Sequence, residues 1–415
     1  MWVITPQQQQ QPTTYDDAAQ SLKKIDDDEK AAFHSAVMAA TTDDEDTQLN
    51  ATELLKKYQY PAEELSVKTE DGYYLTVIRI PAQQDNNKNK VAFLMHGLLG
   101  SADDWLVMGP GKSLAYLLAD AGYDVYLGNA RGNKYSRRHA SKHPATPDFW
   151  QFSNDEIAQQ DLPAMIDVAL QTSQQSQLYY IGHSQGVTDL LALVSTQPQY
   201  NDKIKMVVAL APLAYMSHAQ SPFIKMLANN DDGSVLEHGQ FQPQTQTLWT
   251  AGGEICKNAI GCNKVCSNPL FAIAGVNGEQ LQASSVPVIL AHADRTSSRV
   301  MRQLAQWMTS GSFVRYDYGA EVNEQVYGQQ TPPAYELSAV RVPVVMYYGQ
   351  HDLLAQPADV EMLQRQLPAV IESNMVPDEY FSHTDYVYSK NAPDYIYKRS
   401  YEMYVCVCNL ILVNK

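Results

Sequence analysis

The stretch Leu178-Tyr179-Tyr180-Ile181-Gly182-His183-Ser184-Gln185-Gly186-Val187, continuing as an apolar run to Val194, decides the reading of this chain. A short apolar segment ends in G-x-S-x-G, and a helical pattern follows. A turn this tight between strand and helix needs small residues two before and two after the serine, because larger side chains meet the neighbouring backbone. Such a turn presents the hydroxyl of Ser184 at the top of a sheet, where it is placed to act as a nucleophile. His183, one residue earlier, is expected to point into the sheet or flanking loops and to be packed and hydrogen-bonded.

Working outward from Ser184, short apolar runs alternate with helical stretches. Strands are expected over Val91 to Met95, Asp124 to Leu127, Leu178 to Ile181 and Lys205 to Leu210. Helices are expected over Ser113 to Ala121, Asp155 to Leu170 and Val187 to Val194. Before them, two β-branched runs from Ser66 meet at Asp71-Gly72, a hairpin signal that puts an antiparallel edge on the sheet. The alternation itself is that of a mostly parallel sheet flanked by helices, an α/β fold. It stops after Ala211-Pro212 and resumes at the apolar run Val342 to Tyr348, followed by a helix over Pro357 to Leu367. The intervening 216–311 therefore reads as an inserted, mainly helical cap. It carries a cysteine cluster and the apolar residues Met216, Phe223, Met226, Leu227, Trp249, Leu270 and Phe271. The core is expected to comprise 51–215 and 312–400. A polar leader, 1–50, and a C-terminal tail, 401–415, flank it. Chemistry in such sheets sits beyond the carboxyl ends of the strands, here where they meet the cap.

Serine is a poor nucleophile until a base takes its proton and a carboxylate orients that base. In the α/β-hydrolase arrangement the chain order is serine, acid, histidine. Asp352, in Tyr348-Gly349-Gln350-His351-Asp352, lies just past the Val342 to Tyr348 run, where the acid belongs. His383, in Phe381-Ser382-His383-Thr384-Asp385, follows a weaker strand candidate ending near Val376 and completes the order. His351 and His292 are rivals for the base, and Asp359 and Asp385 for the acid. His292 precedes Asp352 and so breaks the order, while Asp385 reads as fixing the His383 loop. The oxyanion formed during attack needs donors already in place. The loop His96-Gly97-Leu98-Leu99-Gly100 after the first parallel strand offers the backbone N–H of Leu98, and the helix after the nucleophile offers that of Gln185.

Composition closes off other classes. Lys and Arg number 30 against 46 Asp and Glu, a net charge of −16, which is the opposite of a nucleic-acid footprint. The longest nearly apolar run, Met403 to Val413, is interrupted by Asn409 and is shorter than the ~20 residues a spanning helix needs, so no integral membrane segment is expected. The opening Met1-Trp2-Val3-Ile4-Thr5-Pro6 runs into glutamines, with no signal-peptide pattern. Five cysteines, an odd number, leave at least one thiol unpaired: Cys256, Cys262 and Cys266 cluster, and Cys406 and Cys408 lie near the end. Their spacing is not a zinc pattern, and no metal is expected.

Taken together, several stretches resemble the acid lipase family, the gastric and lysosomal acid lipases with their insect relatives. They are His96 to Gly100, Leu114 to Gly122, Leu127-Gly128-Asn129-Ala130-Arg131-Gly132-Asn133, Phe149 to Met165, Gly182 to Gly186, Ala209 to His218, Tyr316-Asp317-Tyr318-Gly319 and Tyr347 to Asp352. The resemblance covers roughly Leu54 to Tyr388. It implies an α/β-hydrolase fold with a helical cap and lid, and hydrolysis of carboxylic esters of neutral lipids such as acylglycerols or sterol esters. It further implies Ser184 as nucleophile, Asp352 as acid, His383 as base, Leu98 and Gln185 as oxyanion donors, and no cofactor. A lipid ester substrate, transient contact with a lipid surface and a secreted or lysosomal setting follow from the same resemblance, as does a cap disulfide joining Cys266 to Cys256 or Cys262. The chain departs from the family at Thr384, a polar residue where the family has an apolar one.

Overall fold

Strand-forming runs that are buried on both faces need cover on both faces, and this chain supplies helices between them. The computed structural model describes residues 44–82, 90–229, 239–242, 273–275 and 277–399. Strands β1 (Glu63–Lys68) and β2 (Tyr73–Ile80) pair antiparallel through the Asp71-Gly72 corner, where Gly72 takes a left-handed φ of 101°. Then come β3 (Val91–Met95), β4 (Asp124–Leu127), the two-residue β5 (Arg138–His139), β6 (Leu178–His183) and β7 (Ile204–Leu210). The short pair β8 (Gln240–Phe241) and β9 (Thr296–Ser297) stands apart from the main sheet, which closes with β10 (Val344–Tyr348) and β11 (Val370–Met375). The order across the main sheet is β1-β2-β4-β3-β6-β7-β10-β11, with β5 beside β2. From β4 to β11 every neighbour pair is parallel.

The register brings the strand ends level. Met95 lies opposite Gly182, Gly182 opposite Ala209, and Leu210 opposite Tyr347. Loops that leave β3, β6 and β10 at their carboxyl ends therefore emerge side by side on one edge of the sheet. Helices cover the faces: α1 (Ala51–Lys57), α2 (Leu114–Asp120), α3 (Leu162–Ser173), α4 (Gln185–Thr196) and α9 (Pro357–Gln366) among them. The stretch between β7 and β10 contains α5 (Pro222–Asn229), α6 (Val286–His292), α7 (Ser298–Ser310) and α8 (Ala320–Tyr327).

Two boundaries differ from expectation for physical reasons. Within the expected polar leader Asp46 is buried, its carboxylate accepting from Lys57 and Tyr58 and its carbonyl facing His292. Asn50 caps α1 in a reciprocal arrangement with Glu53. The helix expected from Asp155 contains a π-helical turn, Ile157–Asp161, at whose end the Asp161 carboxylate grips Arg131. All five cysteines, Trp249, Leu270, Phe271 and the tail 401–415 lie outside the described residues. Among the described residues no helix is long and apolar enough to cross a membrane.

Candidate active site

Ser184 joins β6 to α4 with φ 52° and ψ −117°, a conformation L-residues rarely adopt. Its surroundings enforce that turn. A Cβ on Gly186 would lie 2.5 Å from the Met95 carbonyl oxygen, and one on Gly182 would lie 2.8 Å from the Val187 nitrogen. The Ser184 N–H donates to the Leu210 carbonyl at 2.9 Å, and its own carbonyl accepts from Val187 N–H at 2.9 Å. The residue is thereby pinned to β7 on one side and to its own helix on the other.

The structure brings the three residues singled out in sequence into one chain of contacts. Ser184 Oγ lies 2.7 Å from His383 Nε2, and His383 Nδ1 lies 2.8 and 2.9 Å from the two Asp352 oxygens. All three are buried. The Asp352 carboxylate is held from behind by the N–H groups of Leu354 and Ala355, at 2.8 and 2.9 Å. A carboxylate accepts only, so Nδ1 carries the histidine proton and Nε2 is left to accept from the serine.

Buried polar groups fix the base loop. The His383 carbonyl accepts from His183 Nε2 at 2.9 Å, which makes His183 the hydrogen-bonded, packed residue that its place in the motif suggests. Burial and the neighbouring His383 push the His183 pKa down to about 3, so it stays neutral beside that residue. Asp385 accepts from Ser382 N–H at 2.6 Å, in keeping with a loop-fixing role, and burial pushes its pKa up to about 8. Thr384 is buried with its hydroxyl 3.3 Å from that of Ser382, so the polar residue at this position has a partner.

Leu98 follows Gly97, on which an added Cβ would lie 3.2 Å from the Ser184 Cβ, and Gln185 directly follows the serine. His96 Nδ1 donates to the Gly97 carbonyl at 2.8 Å, while its Nε2 accepts from Ala130 N–H at 3.1 Å. Fixing the Gly97 carbonyl fixes the plane of the Gly97–Leu98 peptide, and with it the direction of the Leu98 N–H on the other side of that plane. Burial pushes the His96 pKa down to about 4, which preserves the acceptor nitrogen. Gln185 opens α4, where a helix leaves its first N–H groups without intrahelical partners. Neither N–H donates a hydrogen bond among the described residues.

The rivals sit elsewhere. His351 Nδ1 is engaged by the Glu379 carbonyl, and Asp359 accepts from His218 at 2.8 Å. His292 faces the Asp103 carboxylate at 2.6 Å and the Asp46 carbonyl at 2.8 Å. Arg131 is an anchor, bound by Asp161 and Asp71, and Asn129 ties Ala102 to Thr76. Two buried features escaped the sequence reading. One is the cluster of Asp103, Lys134, Tyr135, His292 and Asp294 behind the His96 to Gly100 loop, where Asp294 N–H donates to the Leu99 carbonyl at 2.8 Å and Leu99 holds a φ of 61°. The other is Asp189 on α4, fully buried with no hydrogen-bond partner for either oxygen. A carboxylate within the apolar run Val187 to Val194 was the available signal. Among the described residues no group of three His, Cys, Asp or Glu is placed to hold a metal ion.

Comparison with known proteins identifies the fold and the family. Residues 51–109 match the family described as a partial alpha/beta-hydrolase lipase region, and residues 93–243 match the alpha/beta hydrolase fold. Gastric triacylglycerol lipase of Mus musculus is 38% identical over 361 residues, spanning 85% of this chain and 90% of that one. Its Homo sapiens counterpart is 39% identical over 360 residues, with the same coverage. Lipase 3 of Drosophila melanogaster is 40% identical over 351 residues, spanning 81% of this chain and 88% of that one. A solved structure of DcsB with its substrate analogue shares the fold at a TM-score of 0.50, with 13% identity over 82% of this chain and 97% of that one. An α/β-hydrolase sheet, with gastric-type relatives matched along nearly their whole length, places the chain in the acid lipase family, whose members include the gastric triacylglycerol lipases and their insect relatives.

Proposed function

We propose that the chain is a serine lipase that hydrolyses carboxylic esters of neutral lipids, acylglycerols foremost, through an acyl-enzyme on Ser184. The observation that carries the reading is the continuous contact from Ser184 Oγ through His383 to Asp352 at a serine whose backbone is strained outward. His383 Nε2 takes the hydroxyl proton as Oγ bonds to the acyl carbon, and Asp352 stabilises the imidazolium that results. The N–H groups of Leu98 and Gln185 receive the negative charge that develops on the former carbonyl oxygen. Collapse of that intermediate breaks the ester bond, with the His383 proton leaving on the alcohol. Water then attacks the acyl-enzyme, giving its proton to His383, and the fatty acid departs as Ser184 regains the proton.

The names of the relatives support a triacylglycerol substrate, and with it we propose contact with a lipid surface and a secreted or lysosomal setting. We assign the cap role to 216–311, on the ground that this segment is inserted between neighbouring strands whose carboxyl ends lie at the site. The test is hydrolysis of acyl esters of increasing chain length by the parent and by Ser184→Ala, at about pH 5 and about pH 7.5, to either side of the ordinary histidine value. The expected result is activity that rises with chain length and falls by about 10⁴ or more in the variant. A Ser184→Ala protein as fast as the parent would sink the reading.

A further inference from the structure

We propose that Arg137 and Arg295 form a recess that binds an anionic headgroup, a phosphate or carboxylate, on the outer side of the oxyanion loop. The recess stands on its own geometry and does not depend on the lipase reading. Two guanidinium groups from segments far apart in sequence converge on one carboxylate, that of Asp294. Arg137 Nη2 is 3.8 Å from its Oδ1 and Arg295 Nε is 3.9 Å from it, both too long for a hydrogen bond.

That carboxylate is already occupied. Its Oδ2 accepts from Lys134 N–H at 2.7 Å and its Oδ1 from Arg295 N–H at 2.9 Å. The Nε atoms of Arg137 and Arg295 are both shielded from solvent and have no hydrogen-bond partner. Their side chains are only 27% and 26% exposed, so water does little to replace what is missing. Burial, with the charge of Arg137 beside it, pushes the Arg295 pKa below its ordinary value, while burial raises that of Asp294. Cationic charge is therefore undercompensated here.

Other cations nearby are accounted for. Lys134 Nζ is paired with Asp103, and Arg138 lies 5.1 Å from the Tyr74 ring centroid. The segment around them has the wrong sign for the chain as a whole. Four of the nine residues from Lys134 to Lys142 are Lys or Arg, and no acid occurs from Gly132 to Pro147, in a protein of net charge −16. A guanidinium fork matches the oxygens of phosphate or carboxylate in pairs, so the two groups together offer an anion the acceptor-poor charge it would neutralise. Occupancy has a route to the site: the backbone N–H of Asp294 holds the Leu99 carbonyl, one residue from the Leu98 donor. The anion has two possible sources, free in solution or carried on an acidic lipid.

The test uses the full chain, as parent, Arg137→Gln, Arg295→Gln and, as a control for charge alone, Arg138→Gln. Melting temperature is followed against inorganic phosphate, with sodium chloride at matched ionic strength as the screen. Co-sedimentation is measured with phosphatidylcholine vesicles made with and without phosphatidylglycerol. We expect saturable binding by the parent and by Arg138→Gln, weakened about tenfold or more by either recess substitution. A response to phosphate assigns a free anion, and a response confined to phosphatidylglycerol vesicles assigns a lipid headgroup. No response of the parent to either probe overturns the proposal, whatever the variants do. Equal weakening by Arg138→Gln overturns it too, because diffuse charge would then suffice.

Discussion

Replacing Asp189 by Asn should make the protein more stable at neutral pH while leaving it nearly unchanged in acid. Asp189 is fully buried on α4, and neither carboxyl oxygen has a hydrogen-bond partner of good geometry, the Gln185 side chain being the polar group beside it. Burial drives its pKa well above the usual carboxyl value, the charges of Asp161 and Asp155 add to the rise, and the Gln185 side chain on the preceding turn opposes it. The folded protein therefore holds this carboxyl neutral, whereas the unfolded chain releases the proton near pH 4. Between those two values the native state binds one proton more, so stability is fully present below the unfolded value and declines as pH rises. The slope is about 1.4 kcal/mol per pH unit for one proton, or up to about 4 kcal/mol from about pH 4.5 to about pH 7.5. Asn keeps the shape and carries no titrating proton. An unpaired buried amide costs about 1–3 kcal/mol, similar to the unpaired carboxyl it replaces, so the two proteins should nearly coincide at the acid end. Urea unfolding of parent and Asp189→Asn across that range gives the difference directly, and contributions from all other titrating groups cancel in it. A difference that does not change with pH would refute the reasoning.

Other substitutions test the site and its supports. Gly186→Ala should lose at least about a hundredfold in kcat, because its Cβ would meet the Met95 carbonyl at 2.5 Å and must move the strand that carries the oxyanion loop; ester hydrolysis at saturating substrate reads this. His183→Gln, whose amide nitrogen can replace the Nε2 donor to the His383 carbonyl, should retain most kcat, while His183→Leu should lose about tenfold or more with KM little changed. His96 is held neutral down to about pH 4 and the unfolded residue protonates near 6.5, so its contribution to stability is lost as pH falls from 6.5 to 4. His96→Asn, which cannot titrate, should show a shallower loss over that interval in the same urea assay. Expression through a secretory route should attach a glycan at exposed Asn50 of Asn50-Ala51-Thr52, since Oδ1 alone makes the helix cap and Nδ2 is free to be modified. A glycosidase-sensitive mass shift, absent in Thr52→Ala, checks it.

The parallel strands were legible because their residues are apolar on both faces, which leaves β3, β6 and β7 as continuous runs between polar turns. The meeting of Ser184, Asp352 and His383 was legible for a related reason, since strand ends on one edge of a sheet bring their loops together and the order along the chain is constrained. What stayed hidden depends on partners distant in sequence. Nothing local to Asp44 to Asn50 shows that the Asp46 carbonyl meets His292. The π-helical turn at Ile157–Asp161 adjoins a contact with Arg131, thirty residues earlier. The α4 helix begins at Gln185, two residues before the expected Val187, because the serine itself takes the non-helical conformation. Arg137 and Arg295 are far apart along the chain, and only the fold sets them on the same carboxylate.

The neighbouring strands β7 and β10 are separated along the chain by the whole stretch from Ala211 to Pro343. This divides the site by order of synthesis. The oxyanion loop and Ser184 leave the ribosome as one segment, whereas Asp352 and His383 arrive only after that intervening stretch has been made. Long-range parallel pairing closes slowly, because the loop entropy must be overcome before the contacts form. A nascent chain therefore presents Ser184 to the cell without His383 and Asp352, which cannot meet it until β10 docks beside β7.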